Sequence, residues 1–381
     1  MDQNFRSEGV AVADVNGDGK PDILAGEVWY EAPAWSMKEI YEVGDYGDGA
    51  KTYSSAFLCY ADDINRDGWT DQIVIGFPGH PCHWYENPRG GAGHWKRHLI
   101  AKSACNEGPL YSDLFGTGRR VLVMAWQPTG QDSEGQMAWF RPGADPTRPW
   151  QMHPISILGT SEHPVPGTRR FSHGLGVGDV NGDGRRDVIC TGGWWEQPVS
   201  AEANADGTAW KFHAAPLGEG CANMYTVDMN VDGKVDVVSS SAHDYGIWWH
   251  EQKTTVTGES RFVTHNLFPD LVSQTHSMRF EDIDGDGLKD LVTGKRWWAH
   301  GPKGDPGSEE PASLHWFQAQ RKLDGTLRFA PRLIHNASGV GLDFEVTDIN
   351  GDGLLDVVTS NKKGVFVFEQ TRSDGGKGGA K

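Results

Sequence analysis

A nine-residue acidic pattern, DxNxDGxxD, returns along this chain, and its spacing constrains the fold more than any other feature. The intact copies carry oxygen side chains at Asp14, Asn16, Asp18 and Asp22, then at Asp63, Asn65, Asp67 and Asp71. They recur at Asp179, Asn181, Asp183 and Asp187, and at Asp228, Asn230, Asp232 and Asp236. The last two copies are Asp282, Asp284, Asp286 and Asp290, and Asp348, Asn350, Asp352 and Asp356. A worn copy starts at Asp113 and lacks the later carboxylates. Counting it, the starts fall at 14, 63, 113, 179, 228, 282 and 348, in steps of 49 to 66 residues.

Each repeat carries four strand signals. A short alternating run precedes the loop, as in Val10-Ala-Val-Ala13, and a β-branched run follows it, as in Asp236-Val-Val-Ser. An aromatic pair comes next (Trp29-Tyr30, Trp84-Tyr85, Trp194-Trp195), then a pattern like Trp95-Lys-Arg-His98. Four strands in each unit of about 40–50 residues is the pattern of propeller blades. The expected fold is all-β: one seven-bladed β-propeller over residues 1–372, with four-stranded blades starting near 7, 56, 106, 172, 221, 275 and 341. A flexible Gly-rich tail is expected over 373–381. The seventh blade runs out after its third strand, at Gly364–Glu369, so any closing strand should come from Asp2–Arg6.

Composition agrees. The 50 glycines and 16 tryptophans among 381 residues suit Gly-rich turns between aromatic strands. A net charge of −17 argues against nucleic-acid or anionic-membrane partners, which need a cationic surface. Five cysteines without a CxxC pair read as small buried side chains rather than a zinc ribbon. The GxSxG, Walker and HExxH motifs are all absent, so serine hydrolase, nucleotide and zincin readings have no support.

Oxygens at loop positions 1, 3, 5 and 9, with Gly at 6, can wrap a hard cation at about 2.3–2.6 Å. An EF-hand would place Glu at position 12, where this chain has Ala25, Val74, Cys190, Ser239, Thr293 and Thr359. The expectation is up to six structural calcium ions that staple the blades. Such loops suit a calcium-rich, extracytoplasmic setting, secreted or periplasmic, although the opening residues do not read as a secretory leader.

With their flanking strands, the loops resemble the FG-GAP/VCBS repeats of calcium-binding propellers across nearly the whole chain. The narrower combination of DxNxDGxxD, then Trp-Tyr-Glu-Asn-Pro or Trp-Trp-Glu-Gln-Pro, then Trp-x-x-His resembles the propeller domain of aldos-2-ulose dehydratases. That resemblance implies elimination of water from keto-sugars such as 1,5-anhydrofructose. The fungal enzyme also carries cupin domains, which this chain lacks, so no isomerase step is implied.

The residues six before each motif start are Glu8, Phe57, Glu107, His173, Ala222, His276 and Leu342. Two carboxylates and two imidazoles should therefore ring the channel mouth opposite the acidic loops. Asn106, Asn223 and Asp343 lie beside them in sequence, and the second-strand ends add Glu27, His80, His83, His243, Lys295 and Lys362. Insertions at 127–136, 159–170 and 296–314 should lie over the same face, where binding sites usually sit. By contrast, His98, His153, His213 and His265 recur at one place in the outer strand and read as repeat decoration.

Elimination beside a carbonyl needs a base, an electrophile for the enolate and an acid for the leaving hydroxyl. The candidates are His173 or His276 as base or metal ligand, Glu107 and Glu8 as metal ligands or proton carriers, and Lys295 or His243 as electrophilic partner. His80 is a further candidate, and a divalent metal other than calcium is a candidate at the mouth. The expected partner is a small sugar or glycan. The competing readings are a non-catalytic propeller that binds glycans or proteins, and a glycosidase using Glu8 and Glu107.

Overall fold

In a computed structural model, which describes residues 1–200, 207–256 and 260–372, the chain is all-β, with no helix among those residues. The expected tail over 373–381 lies outside the described residues. Antiparallel four-strand meanders follow one another over 11–39, 58–101, 110–154, 175–214, 223–266 and 278–335, and three strands close the series over 344–368. The fourth and fifth meanders join into one eight-stranded sheet through parallel pairing of Leu175 with Asn223 and Gly176 with Met224.

The first strands of successive units pack side by side, and the last of them, Phe344–Thr347, returns to the first, Ala11–Ala13. This arrangement is consistent with a β-propeller. Closure also involves the N-terminus: Asp2 forms an antiparallel bridge with Val365, and Val365 N–H donates to Asp2 O at 2.9 Å.

The apolar sequence runs explain where the core sits. Second strands such as Asp71–Ile75 and Asp236–Ser240 are buried throughout, whereas the outer strand Ser36–Glu39 is exposed throughout. Trp84, Trp139 and Trp195 fill the space between sheets. The recurring outer-strand histidines pack on this layer: His98, His153, His213 and His265 stack on Trp84, Trp139, Trp194 and Trp249 at 3.9–4.5 Å. All five cysteines are buried and free.

Each acidic loop folds on its own first carboxylate. Asp14 accepts N–H bonds from Gly17, Asp18 and Gly19, while Asp22 accepts those of Val15 and Ala32. Gly19, with φ +83°, makes the turn that this wrapping requires. The carboxylates of Asp282, Asp284 and Asp290 come close enough together to share one ion.

Candidate active site at the channel mouth

The residues six before each motif are stitched together by backbone hydrogen bonds between units. Glu8 N–H donates to Ala56 O, Glu107 N–H to Ser172 O, Ala222 N–H to His276 O, and Leu342 N–H to Glu8 O. Gly174, with φ +76°, packs so tightly on Gly220 that a Cβ would sit 2.4–2.8 Å from backbone there, which fixes the turn that presents His173.

This belt brings His173, His276, Glu107 and Glu8 together, and His243 joins them from the end of its second strand. His243 Nε2 lies 3.2 Å from His173 Nε2. Glu107 Oε2 lies 3.4 Å from His173 Nε2 and 3.8 Å from His276 Nε2. The three imidazoles are grouped closely enough to share a metal ion. His276 is fully buried, and its Nε2 has no hydrogen-bond partner.

Arg296 is the central charge that the sequence reading missed. It is 2% exposed, hydrogen-bonds Glu8 Oε2 through Nε and Nη2, and reaches Glu107 Oε2 at 3.2 Å through Nη1. Burial would raise the Glu107 carboxyl, but the His173 hydrogen bond and the charges of His173, Arg296 and His243 hold it down at about 2. Burial and the charge of His173 lower His243 to about 4, and burial with Arg296 lowers His276 well below the usual imidazole range. His243 and His276 are therefore neutral near pH 7, with lone pairs available. A carboxylate as acidic as Glu107 cannot serve as a general acid there, and both it and Glu8 are engaged by Arg296. The arrangement does not support a glycosidase pair.

Two further expectations change. Lys295 is 1% exposed, and its ammonium donates to the carbonyls of Gly307 and Glu310, so it anchors the insertion instead of facing a substrate. His80 is exposed beside Phe77 and lies outside the cavity lining. Glu27 likewise ties down a loop, accepting Gly44 N–H and the hydroxyls of Tyr46 and Ser55. Lys362 packs over the Tyr53 ring at 4.1 Å, and burial lowers its amine to about 8.

The cluster opens into a cavity of about 480 Å³. Its lining also includes Tyr53, Phe57, Phe77 and Phe171, whose rings contact one another at 5.3–5.6 Å. The sixth-unit insertion adds Ala299 and His300 to the lining. There His300 lines the cavity, with Nδ1 held by Asp305 at 3.0 Å, and Ala299 O accepts the Tyr53 hydroxyl at 2.7 Å. Arg296 stands 14 residues after its motif start, as Lys362 does after Asp348, whereas His300 and Asp305 have no counterparts, and their one signal in sequence was the extra length of the insertion.

Residues 8–28 match the FG-GAP repeat family and residues 228–293 the FG-GAP-like repeat family. The first stretch contains the loop that starts at Asp14, and the second contains those that start at Asp228 and Asp282. No curated protein matches the chain. Among solved structures, the chain is similar to rhamnogalacturonan lyase YesW, with 14% identity and a TM-score of 0.46, over 96% of this chain and 72% of that one. It is also similar to exotype rhamnogalacturonan lyase YesX, with 13% identity and a TM-score of 0.47, over 96% and 72%. A Bacteroides fragilis protein described as a 6-phosphogluconolactonase matches with 13% identity and a TM-score of 0.47, over 95% and 90%. By its matched stretches and the motif that recurs between them, this chain carries FG-GAP repeats.

Proposed function

We propose that the protein is a seven-bladed, calcium-stapled propeller that acts as a carbon–oxygen lyase on a keto-sugar or related sugar. One observation carries the reading. His173, His243 and Glu107 line a sugar-sized cavity together with four aromatic rings, and the buried His276 lies close enough to both imidazoles to share an ion with them. Aromatic faces suit the C–H face of a pyranose, and the polar groups supply proton transfer and charge stabilisation.

The imidazole cluster also fits a divalent cation of borderline softness, such as zinc. His276 Nε2 is buried without a partner, and the 3.2 Å between His173 Nε2 and His243 Nε2 resembles the spacing of two ligands on one ion. Two nitrogens at about 2.0–2.1 Å from a tetrahedral zinc are themselves about 3.3 Å apart. His173, His243 and His276 would hold it. When bound, the cation supplies Lewis acidity to the substrate carbonyl.

The remaining roles belong to side chains. Phe77 and Phe171 support the ring and exclude water, while Arg296 holds Glu107 against His173. His300, fixed through Nδ1 by Asp305, takes the proton α to the carbonyl on Nε2. The C–H pair becomes the new double bond as the β carbon–oxygen bond breaks. The hydroxyl leaves with that same proton as water, so His300 ends unchanged.

The test is ultraviolet absorbance of the unsaturated product from 1,5-anhydrofructose and related keto-sugars. His173→Gln and His276→Gln should each lower kcat/KM by about 10²-fold or more with little change in melting temperature. His98→Gln should do the reverse, because it loses a buried contact with Glu86. Sugar binding without turnover across the panel would make the protein a binding propeller and end the lyase reading.

A further inference from the structure

The three imidazoles differ in what lies behind them. His276 Nδ1 meets the carbonyl of Gln274 at 3.5 Å. His243 Nδ1 is buried, has no hydrogen-bond partner, and faces Asp305 Oδ1 at 3.5 Å. Asp305 comes from the sixth-unit insertion, and its side chain is only 7% exposed.

The insertion is tied to the residue before it and within itself. Lys295 Nζ donates to Glu310 O at 2.8 Å, and Trp298 Nε1 donates to Ser308 O at 3.0 Å. Gln274 serves both sides, since its carbonyl faces His276 while its side-chain oxygen accepts Ala299 N–H at 3.2 Å. The groups behind two of the three imidazoles are thus tied to one segment.

A metal-binding histidine presents one nitrogen correctly only when the other is held as N–H by an acceptor, which fixes tautomer and ring orientation. We propose that Asp305 is the positioning residue of the cation site: it accepts His243 Nδ1–H, leaves the Nε2 lone pair facing His173 and His276, and makes cation affinity depend on the docked insertion. The inference rests on the metal reading above. It assigns the insertion an electrostatic role in addition to lining the cavity.

The experiment measures Zn²⁺ affinity by chelator competition and the Co²⁺ absorption spectrum, with no substrate present. Asp305→Ala should weaken Zn²⁺ by about 10–100-fold and alter the Co²⁺ spectrum. Lys295→Met, which loosens the insertion without touching an imidazole, should shift affinity the same way. His300→Gln frees Asp305 of its other imidazole and should hold affinity or raise it. If Asp305→Ala melts early in the metal-free state, Asp305→Leu, which keeps the volume and removes the acceptor, carries the same expectation.

Parent-like affinity in the Asp305 variants would overturn the positioning role and leave the cation site standing. A loss in His300→Gln equal to that in Asp305→Ala would also overturn it, because Asp305 would then act through His300. If the parent binds Zn²⁺ and Co²⁺ no better than a His173→Gln/His276→Gln double variant, the metal reading falls and the inference falls with it.

Discussion

His250 is fully buried between Ser239 Oγ, 2.7 Å from Nε2, and Thr264 Oγ1, 2.9 Å from Nδ1. Burial lowers its imidazole to about 4. The folded protein therefore favours the neutral ring. That contribution is fully present above the ordinary value near 6.5 and is lost as pH falls towards 4. The span corresponds to about 3 kcal/mol at most. Urea unfolding of the parent should lose stability more steeply between pH 6.5 and 4 than that of His250→Gln, and parallel pH profiles would contradict this. Other residues follow the same logic of partners. His173 and His276 could be picked out in the sequence because each breaks a repeat at a channel position. Lys295 looked equally functional, but the destination of its ammonium depends on the path of a loop that no repeat describes. Arg296 was invisible for a related reason: its partner Glu8 is 288 residues away, and only the closed ring brings them together.

The acidic loops are the most legible elements, since their spacing, turn glycine and carboxylates are all local. An ion that binds only the native state stabilises it by about 2.7 kcal/mol per site at a hundredfold excess over Kd. Melting should fall when a chelator is added, and Asp183→Ala should remove more of the calcium-dependent shift than Asp113→Ala. In the worn loop, Asp113 still accepts N–H bonds from Thr117 and Gly118, but a guanidinium, that of Arg186, stands 3.5 Å from its carboxylate. Equal calcium-dependent losses in the two variants would show that the worn loop still binds. The sixth-unit insertion is the opposite case. Its length could be read from the sequence, but its docking through Lys295 and Tyr53 could not, because each contact reaches a backbone carbonyl chosen by tertiary packing.

At the scale of the whole molecule, the ring of units turns a linear repeat into a mouth. Residues at one repeat position become neighbours, so repeat-breaking side chains from the first, third, fourth and sixth units meet Arg296 and His243 in one place. The acidic loops occupy the far ends of the same first strands, which separates the proposed stapling ions from the proposed chemistry. Periodicity made the ring and its face legible, whereas the pairing of charges across the mouth depended on side-chain directions that periodicity does not carry. On the proposed function, this mouth holds a divalent cation and a sugar together. Anomalous diffraction at the zinc edge, from crystals grown with zinc and an unreactive keto-sugar analogue, tests it most directly. An anomalous peak bonded to Nε2 of His173, His243 and His276 is expected, with the sugar against Phe77 and Phe171. A sugar bound elsewhere, or no zinc among those three imidazoles, would contradict it.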